Sequence, residues 1–99
     1  MQQTILITGA TSGFGLACAE LFATRGWKLI VCSRREDRLS ELRARLPDAA
    51  IHTCRIDLRD PDQIKEMLAL LPAGFREIDI LLNNAGLALG LAPAHQADI

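Results

Sequence analysis

Thr8-Gly9-Ala10-Thr11-Ser12-Gly13-Phe14-Gly15 joins an apolar run, Ile5-Leu6-Ile7, to a segment with helical spacing. A diphosphate held at such a junction needs a turn that it can approach closely, and unpaired N–H groups at a helix N-terminus to receive its charge. Glycines serve both needs. Gly9 permits a tight exit from the strand, Gly13 allows backbone approach, and Gly15 lets the helix lie close to the sheet. Spaced glycines before a helix also occur as plain structural turns, so the neighbouring segments must decide the reading. A P-loop is excluded, because the loop has no Gly-Lys-Ser/Thr ending and Lys28 lies far down the chain.

Outward from this loop, short apolar runs alternate with longer segments of helical spacing, the pattern of βαβ units around a parallel sheet. Strands are predicted over Thr4 to Thr8, Lys28 to Ser33, Ala50 to Ile56 and Ile78 to Leu82. The core of the second, Leu29-Ile30-Val31-Cys32, is continuously apolar, as expected where helices cover both faces of a sheet. Helices are predicted from Gly13 to about Arg25, ended by Gly26, and from Glu36 to Leu46, closed by Pro47. In the third helix Asp60 is the N-cap, Pro61 takes the first helical position, and Ile64, Met67, Leu68 and Leu71 form one apolar stripe before Pro72. Right-handed crossovers and a strand order of 3-2-1-4 put the third helix on the opposite face from the first two. The expected fold is therefore α/β, the first half of a Rossmann-type parallel sheet (βαβαβαβ) with helices on both faces. The fourth strand would then be a bare apolar edge, which intact proteins usually cover, and this leads to the expectation that residues 1–99 are a single dinucleotide-binding domain truncated before a second half.

Length and composition agree with one domain. With 99 residues, 49% hydrophobic and 23% charged, the chain reads as an ordinary globular sequence with one modest core. The net charge of -1 provides no global attraction to nucleic acid or to an anionic membrane, so neither is expected as a partner. No basic segment precedes a long apolar stretch near Met1, and a cytoplasmic location is expected. The 3 cysteines, Cys18, Cys32 and Cys54, are widely spaced within apolar segments, which argues for reduced, buried thiols and against a disulfide framework or a zinc site.

The spacing of the loop, Thr-Gly-x-x-x-Gly-x-Gly, resembles the fingerprint of the short-chain dehydrogenase/reductase family. Asn83-Asn84-Ala85-Gly86, at the end of the fourth predicted strand, resembles a second motif of that family. Asp57-Leu58 follows the third strand, and in isolation Asp57 reads as a turn or cap residue. The resemblance gives it another role, since the family uses an Asp and the next backbone amide there to hold an adenine ring. By the same resemblance Asn84, Ala85 and Gly86 lie against the adenosine side of a nicotinamide cofactor, and Gly9, Ala10, Thr11, Ser12, Gly13, Phe14 and Gly15 surround its diphosphate. Within the family, the loop and the run Asn84-Ala85-Gly86-Leu87-Ala88-Leu89-Gly90 look most like the bacterial 3-hydroxy acid dehydrogenases, which oxidise L-serine and related 3-hydroxy acids and reduce malonic semialdehyde.

The end of the second strand speaks to which cofactor. An NAD-preferring site carries an Asp or Glu there, about 20 residues past the glycines, for the ribose 2′-hydroxyl. This chain has Ser33-Arg34-Arg35, and its nearest acids, Glu36 and Asp37, fall inside the predicted helix. Arg34 and Arg35 read either as solvated charges opening a helix or as ligands of a 2′-phosphate. A helix N-terminus favours anions, so a bound phosphate accounts better for two cations there, and NADP is the expected cofactor.

The resemblance also implies a catalytic Tyr-x-x-x-Lys pair with an upstream Ser. The sequence contains no tyrosine, its only lysines are Lys28 and Lys65, and its only serines are Ser12, Ser33 and Ser40, so no catalytic residue is assigned. His52 reads as a strand residue, His95 as a loop residue and Trp27 as a packing residue. The resulting expectation is the NADP-binding portion of an oxidoreductase acting on a small hydroxy acid or carbonyl substrate, its intact form a homo-oligomer. The alternatives are a non-enzymatic NADP-binding or interaction fragment, and a flavodoxin-like domain, against which the first loop lacks an acidic cluster.

Overall fold

The structure, a computed structural model, describes residues 2–10 and 13–84. Along the chain run β1 (Thr4–Thr8), α1 (Gly13–Thr24), β2 (Lys28–Ser33), α2 (Glu36–Arg45), β3 (Ile51–Arg55), α3 (Pro61–Ala69), a 3-10 turn over Ala73–Phe75, and β4 (Ile80–Asn83). The strands form one sheet in the order β3-β2-β1-β4, with all pairings parallel. Strand order, parallel pairing and helix placement agree with the sequence expectation of a Rossmann-type α/β sheet.

Alternation along the strands divides the interior into two layers. Ile5 and Ile7 of β1, Leu29 and Val31 of β2 and Leu82 of β4 face one side, where Ala19 of α1 and Leu39 and Leu42 of α2 cover them. Leu6, Ile30, Cys32, Cys54 and Leu81 face the other, under Ile64 and Met67 of α3 and Leu71 just beyond it. Every residue of β1 is buried. Burial of a side chain such as Ile5, Leu6 or Ile7 contributes about 1.5–3 kcal/mol, so the central strand alone fixes the two faces. Trp27 packs edge-on against Phe22, ring centroids 4.9 Å apart, and half-buried His52 leans on Phe75 at 5.7 Å, as strand residues do.

Several boundaries differ from the sequence reading, each with a local cause. β4 starts two residues later than predicted because Asp79 occupies the place of a ladder residue. Its N–H donates to the Thr4 carbonyl (2.9 Å), while its carboxylate accepts from the Thr4 N–H (2.8 Å). Ile78 lies outside the ladder and packs instead against the α3-side core. β3 is trimmed at both ends relative to Ala50–Ile56. The stripe of α3 reaches Leu71 only because the chain turns at Leu70 and enters the 3-10 turn, which no apolar periodicity foretells.

The glycine loop explains how closely α1 lies on the sheet. Gly9 and Gly13 have φ of 69° and 58°, left-handed values that other residues rarely adopt. Gly15 matters for space: a Cβ there would press on the Gly9 carbonyl oxygen and stand 2.7 Å from Asn84 Nδ2 and 3.0 Å from Ala10 Cα. A glycine to alanine change in an open helix gains up to about 1 kcal/mol, but here backbone must move to admit the methyl. Gly15→Ala is therefore expected to destabilise the chain by about 1–3 kcal/mol in urea denaturation. Gly74→Ala, where a Cβ meets nothing within 4 Å, should stay within about 0.5 kcal/mol.

Candidate functional site

Parallel pairing brings the C-terminal ends of all the strands to one edge, and the sequence-predicted residues that are described gather there. β1 lies between β2 and β4, so the strand order reverses beside it, which is where open α/β sheets form a crevice. Two hydrogen bonds fix the β1 and β4 ends together. Thr8 Oγ1 donates to Asn83 Oδ1 (3.0 Å), and Asn84 Nδ2 donates to the Gly9 carbonyl (3.0 Å). The amide of Asn84 thus holds the first turn of the glycine loop across a separation of 75 residues in sequence.

On the other side of β1 a cleft of about 340 Å³ is lined by Gly9, Cys32, Ser33, Arg34, Arg35, Asp57, Leu58 and Arg59. Gly9, Arg34, Arg35, Asp57 and Leu58 were all expected at a nucleotide site, and the structure brings them together. Ala10 and Leu58 are buried with their side chains in the two core layers, so only their backbone is available to a ligand. Phe14 is 57% exposed at the start of α1. Thr11, Ser12, Ala85 and Gly86 lie outside the described residues, as does His95.

The two arginines after β2 differ in their engagements. Arg34 reaches across the cleft mouth, its Nη1 4.0 Å from Asp57 Oδ2, with 60% of its side chain exposed. Arg35 turns to Asp37, donating from Nε (3.4 Å) and Nη2 (3.0 Å). That guanidinium holds the Asp37 carboxyl below the usual carboxylate range. The Ser33 hydroxyl accepts from the Arg35 N–H at 3.1 Å and so shapes the turn between β2 and α2.

Asp57 is held more firmly, by residues that sequence reasoning missed. Arg59 donates to both of its oxygens, Nε to Oδ1 (3.1 Å) and Nη2 to Oδ2 (3.2 Å), and the Arg59 N–H adds a bond to Oδ1 (2.9 Å). These bonds to Arg59, with a smaller contribution from Arg34, keep the Asp57 carboxyl below its ordinary range, and the Arg59 guanidinium is pushed up in return. From behind, Gln63 Oε1 accepts the Asp57 N–H (2.8 Å) while Gln63 Nε2 donates to Asp60 Oδ2 (3.2 Å). Asp60 caps α3 through the Asp62 N–H (3.0 Å), so one helix cap also fixes the backbone of the cleft wall. The Asp60-x-x-Gln63 spacing is a capping-box signal and could have located Gln63. Among the described residues, no group of three or more His, Cys, Asp or Glu could hold a metal ion, and no helix is long and apolar enough to cross a membrane.

Comparison with known proteins gives this site a lineage. A family model described as short chain dehydrogenase matches residues 3–99. Serine 3-dehydrogenase of Rhizobium radiobacter is 56% identical over 99 residues, which are all of this chain and 39% of that protein. The NADP-dependent 3-hydroxy acid dehydrogenase of Escherichia coli K12 is 48% identical over 95 residues, 96% of this chain and 38% of the relative. The chain thus spans about two-fifths of the length of these curated relatives. The crystal structure of serine dehydrogenase from Escherichia coli superposes with a TM-score of 0.80 at 48% identity, covering 97% of this chain and 44% of that one. A closed form of serine dehydrogenase complexed with NADP+ gives the same score and identity, covering 97% and 38%. A family match over almost every residue, joined to a parallel sheet in the order that family's resemblance implied, establishes that the chain belongs to the short-chain dehydrogenase family.

Proposed function

We propose that this chain is the NADP-binding part of a short-chain oxidoreductase that moves a hydride between NADP(H) and a small hydroxy acid or carbonyl substrate, with L-serine, related 3-hydroxy acids and malonic semialdehyde as the first substrates to try. The observation that carries the reading is Arg34, exposed at the mouth of the cleft and opposite Asp57, at a strand end where an NAD site would have a carboxylate. NADP supplies a hydride-accepting nicotinamide when bound, and the work of these residues is to hold its other end. A ribose 2′-phosphate meets a guanidinium in place of a repelling acid. Asp57, fixed by Arg59 and Gln63, stands ready to accept from an adenine amino group, with the Leu58 backbone beside it. At Gly13 a Cβ would meet nothing within 4 Å among the described residues, which leaves the backbone at the start of α1 open to a diphosphate. Names of relatives that include serine 3-dehydrogenase and NADP-dependent 3-hydroxy acid dehydrogenase support the same reading.

Arg34 is the stronger phosphate ligand of the pair. Its contact with Asp57 at 4.0 Å is too long for a hydrogen bond, so little is lost when it turns to a ligand, whereas Arg35 must leave Asp37. Arg34→Ala is expected to weaken NADPH binding by roughly tenfold or more, the equivalent of one charge-assisted hydrogen bond, and to leave NADH nearly unchanged in fluorescence titrations. Unchanged NADPH affinity would remove the 2′-phosphate assignment.

These 99 residues contain no tyrosine, so the acid/base that the family resemblance implies is not among them. NADPH binding without turnover is the expected behaviour of the chain with L-serine or malonic semialdehyde. Steady oxidation or formation of NADPH by the pure chain, followed by absorbance, would contradict this division of labour.

The Asp57 carboxyl has its own signature. Because its folded pKa is depressed, its contribution is complete above the unfolded aspartate value of about 3.9 and is lost as pH falls through the lower folded value. A carboxyl-carbon NMR titration should find Asp57 below the ordinary aspartate range, and Arg59→Gln should move it upward. Above pH 5 the same substitution should leave its ionisation untouched.

A further inference from the structure

Cys32 and Cys54 are direct register partners on neighbouring parallel strands, and both side chains belong to the core layer on the α3 side. We propose that they form an oxidisable dithiol, which a hydroperoxide converts into a disulfide joining β2 to β3 at the edge of the sheet that bears the cleft. The inference stands on the position of the two thiols and does not depend on which nucleotide the cleft takes.

Neighbouring strands lie about 4.7–4.9 Å apart, inside the range of roughly 4.4–6.8 Å that a disulfide requires between Cα atoms. Strand alternation points both Cβ atoms to one face, so the bond needs only a small approach of the two side chains and no change of register. An oxidant reaches the pair through Cys54. Cys32 lines the cleft with Arg34 and Asp57, and Cys54 lines the adjoining hollow with Gln63 and Met67. Cys54 is 7% exposed while Cys32 is wholly enclosed.

The two thiols are unequal. The hydrogen bond between them favours the Cys54 thiolate and, with burial, pushes the Cys32 thiol well up. Cys54, the less enclosed of the two, is the attacking sulfur and Cys32 the resolving one. The Cys54 thiolate takes the terminal oxygen of the hydroperoxide as the O–O bond breaks, giving a sulfenic acid and, after protonation, an alcohol or water. The Cys32 sulfur then displaces the sulfenic hydroxyl, which leaves as water with the thiol proton. In sum two thiols and one hydroperoxide yield one disulfide, one water and one alcohol, or a second water when the oxidant is hydrogen peroxide. Cys18 sits in α1 on the opposite face of the sheet and serves as an internal reference.

The test treats the full, reduced chain with hydrogen peroxide, quenches with acid, and alkylates the unfolded protein with N-ethylmaleimide before peptide mapping without reductant. The expected product links the Cys32 and Cys54 peptides and is two hydrogen atoms lighter than the reduced pair, while Cys18 is recovered alkylated. Cys32→Ala should stop Cys54 at a sulfenic acid that dimedone traps, and Cys54→Ser should slow oxidation at Cys32 by roughly tenfold or more. The wild-type linkage is read directly, so the test survives a variant that fails to fold. Recovery of Cys32 and Cys54 as alkylated thiols, linkage through Cys18, or a link that forms only in urea would each overturn the proposal.

Discussion

Among the described residues β1 and β2 each have a partner on both sides, but β1 is the strand beside which the connections change direction, and the fold depends on its double pairing. Its five residues are matched to Lys28 through Cys32 on one flank, and Ile5 through Thr8 to Ile80 through Asn83 on the other. Because crossovers between parallel strands are right-handed, the connections through α1 and α2 run one way from β1 and cover one face. The connection through α3 must return past β1 and so covers the opposite face. The helices therefore separate at the end of β1, and the backbone there is left uncovered. Gly9 begins the exit, and the Asn84 amide holds its carbonyl, so the same central strand that anchors both core layers also sets the position of the cleft.

Charge around the cleft is arranged for geometry more than for stability. Solvent screening leaves exposed ion pairs little net stabilisation, and the pairs made by Arg34, Arg35 and Arg59 are all substantially exposed. Their effect is to limit what Asp57 can do. With Arg59 gripping both oxygens and Gln63 holding the backbone N–H, the carboxylate stays ionised and faces the cleft. Arg34 has no such tether, and the contrast separates a fixed acceptor from a movable cation. On the proposed reading, a rigid ring meets the fixed acceptor and a flexible phosphate the movable cation.

Much of this arrangement is legible in the sequence because it is written in local patterns. The continuous apolar run Leu29-Ile30-Val31-Cys32 announces a strand covered on both faces, and the spaced leucines of α2 and the Asp60-Pro61 start of α3 announce helices. Features that rest on one side chain replacing a distant backbone group are not legible in this way. Asp79 displaces the start of β4 by bonding to Thr4, 75 residues away, and no window of sequence contains both. Arg59 lies only two residues beyond Asp57, but an arginine in a loop usually reads as solvated, and the register of β3 against β2 is what adds Arg34 to the same carboxylate. The expectation of NADP needs just one local fact, the basic pair Arg34-Arg35 after β2.

Side-chain size changes in one direction along three of the strands, and parallel pairing turns that gradient into a site. β1 runs from Ile5, Leu6 and Ile7 to Thr8, Gly9 and Ala10, β2 from Leu29 and Ile30 to Cys32 and Ser33, and β4 from Ile80 and Leu81 to Asn83 and Asn84. Large apolar groups fill the layers under the helices, while small or polar groups collect where the strands end. In an antiparallel sheet the same gradients would alternate between edges and cancel. Here they coincide, so backbone amides, two arginines and an aspartate come to the surface at one edge, with a pair of thiols buried just beneath them. The small residues that open the cleft are also the reason that Cys32 and Cys54 can stand side by side there, since a larger pair in register would have filled the space between cleft and core.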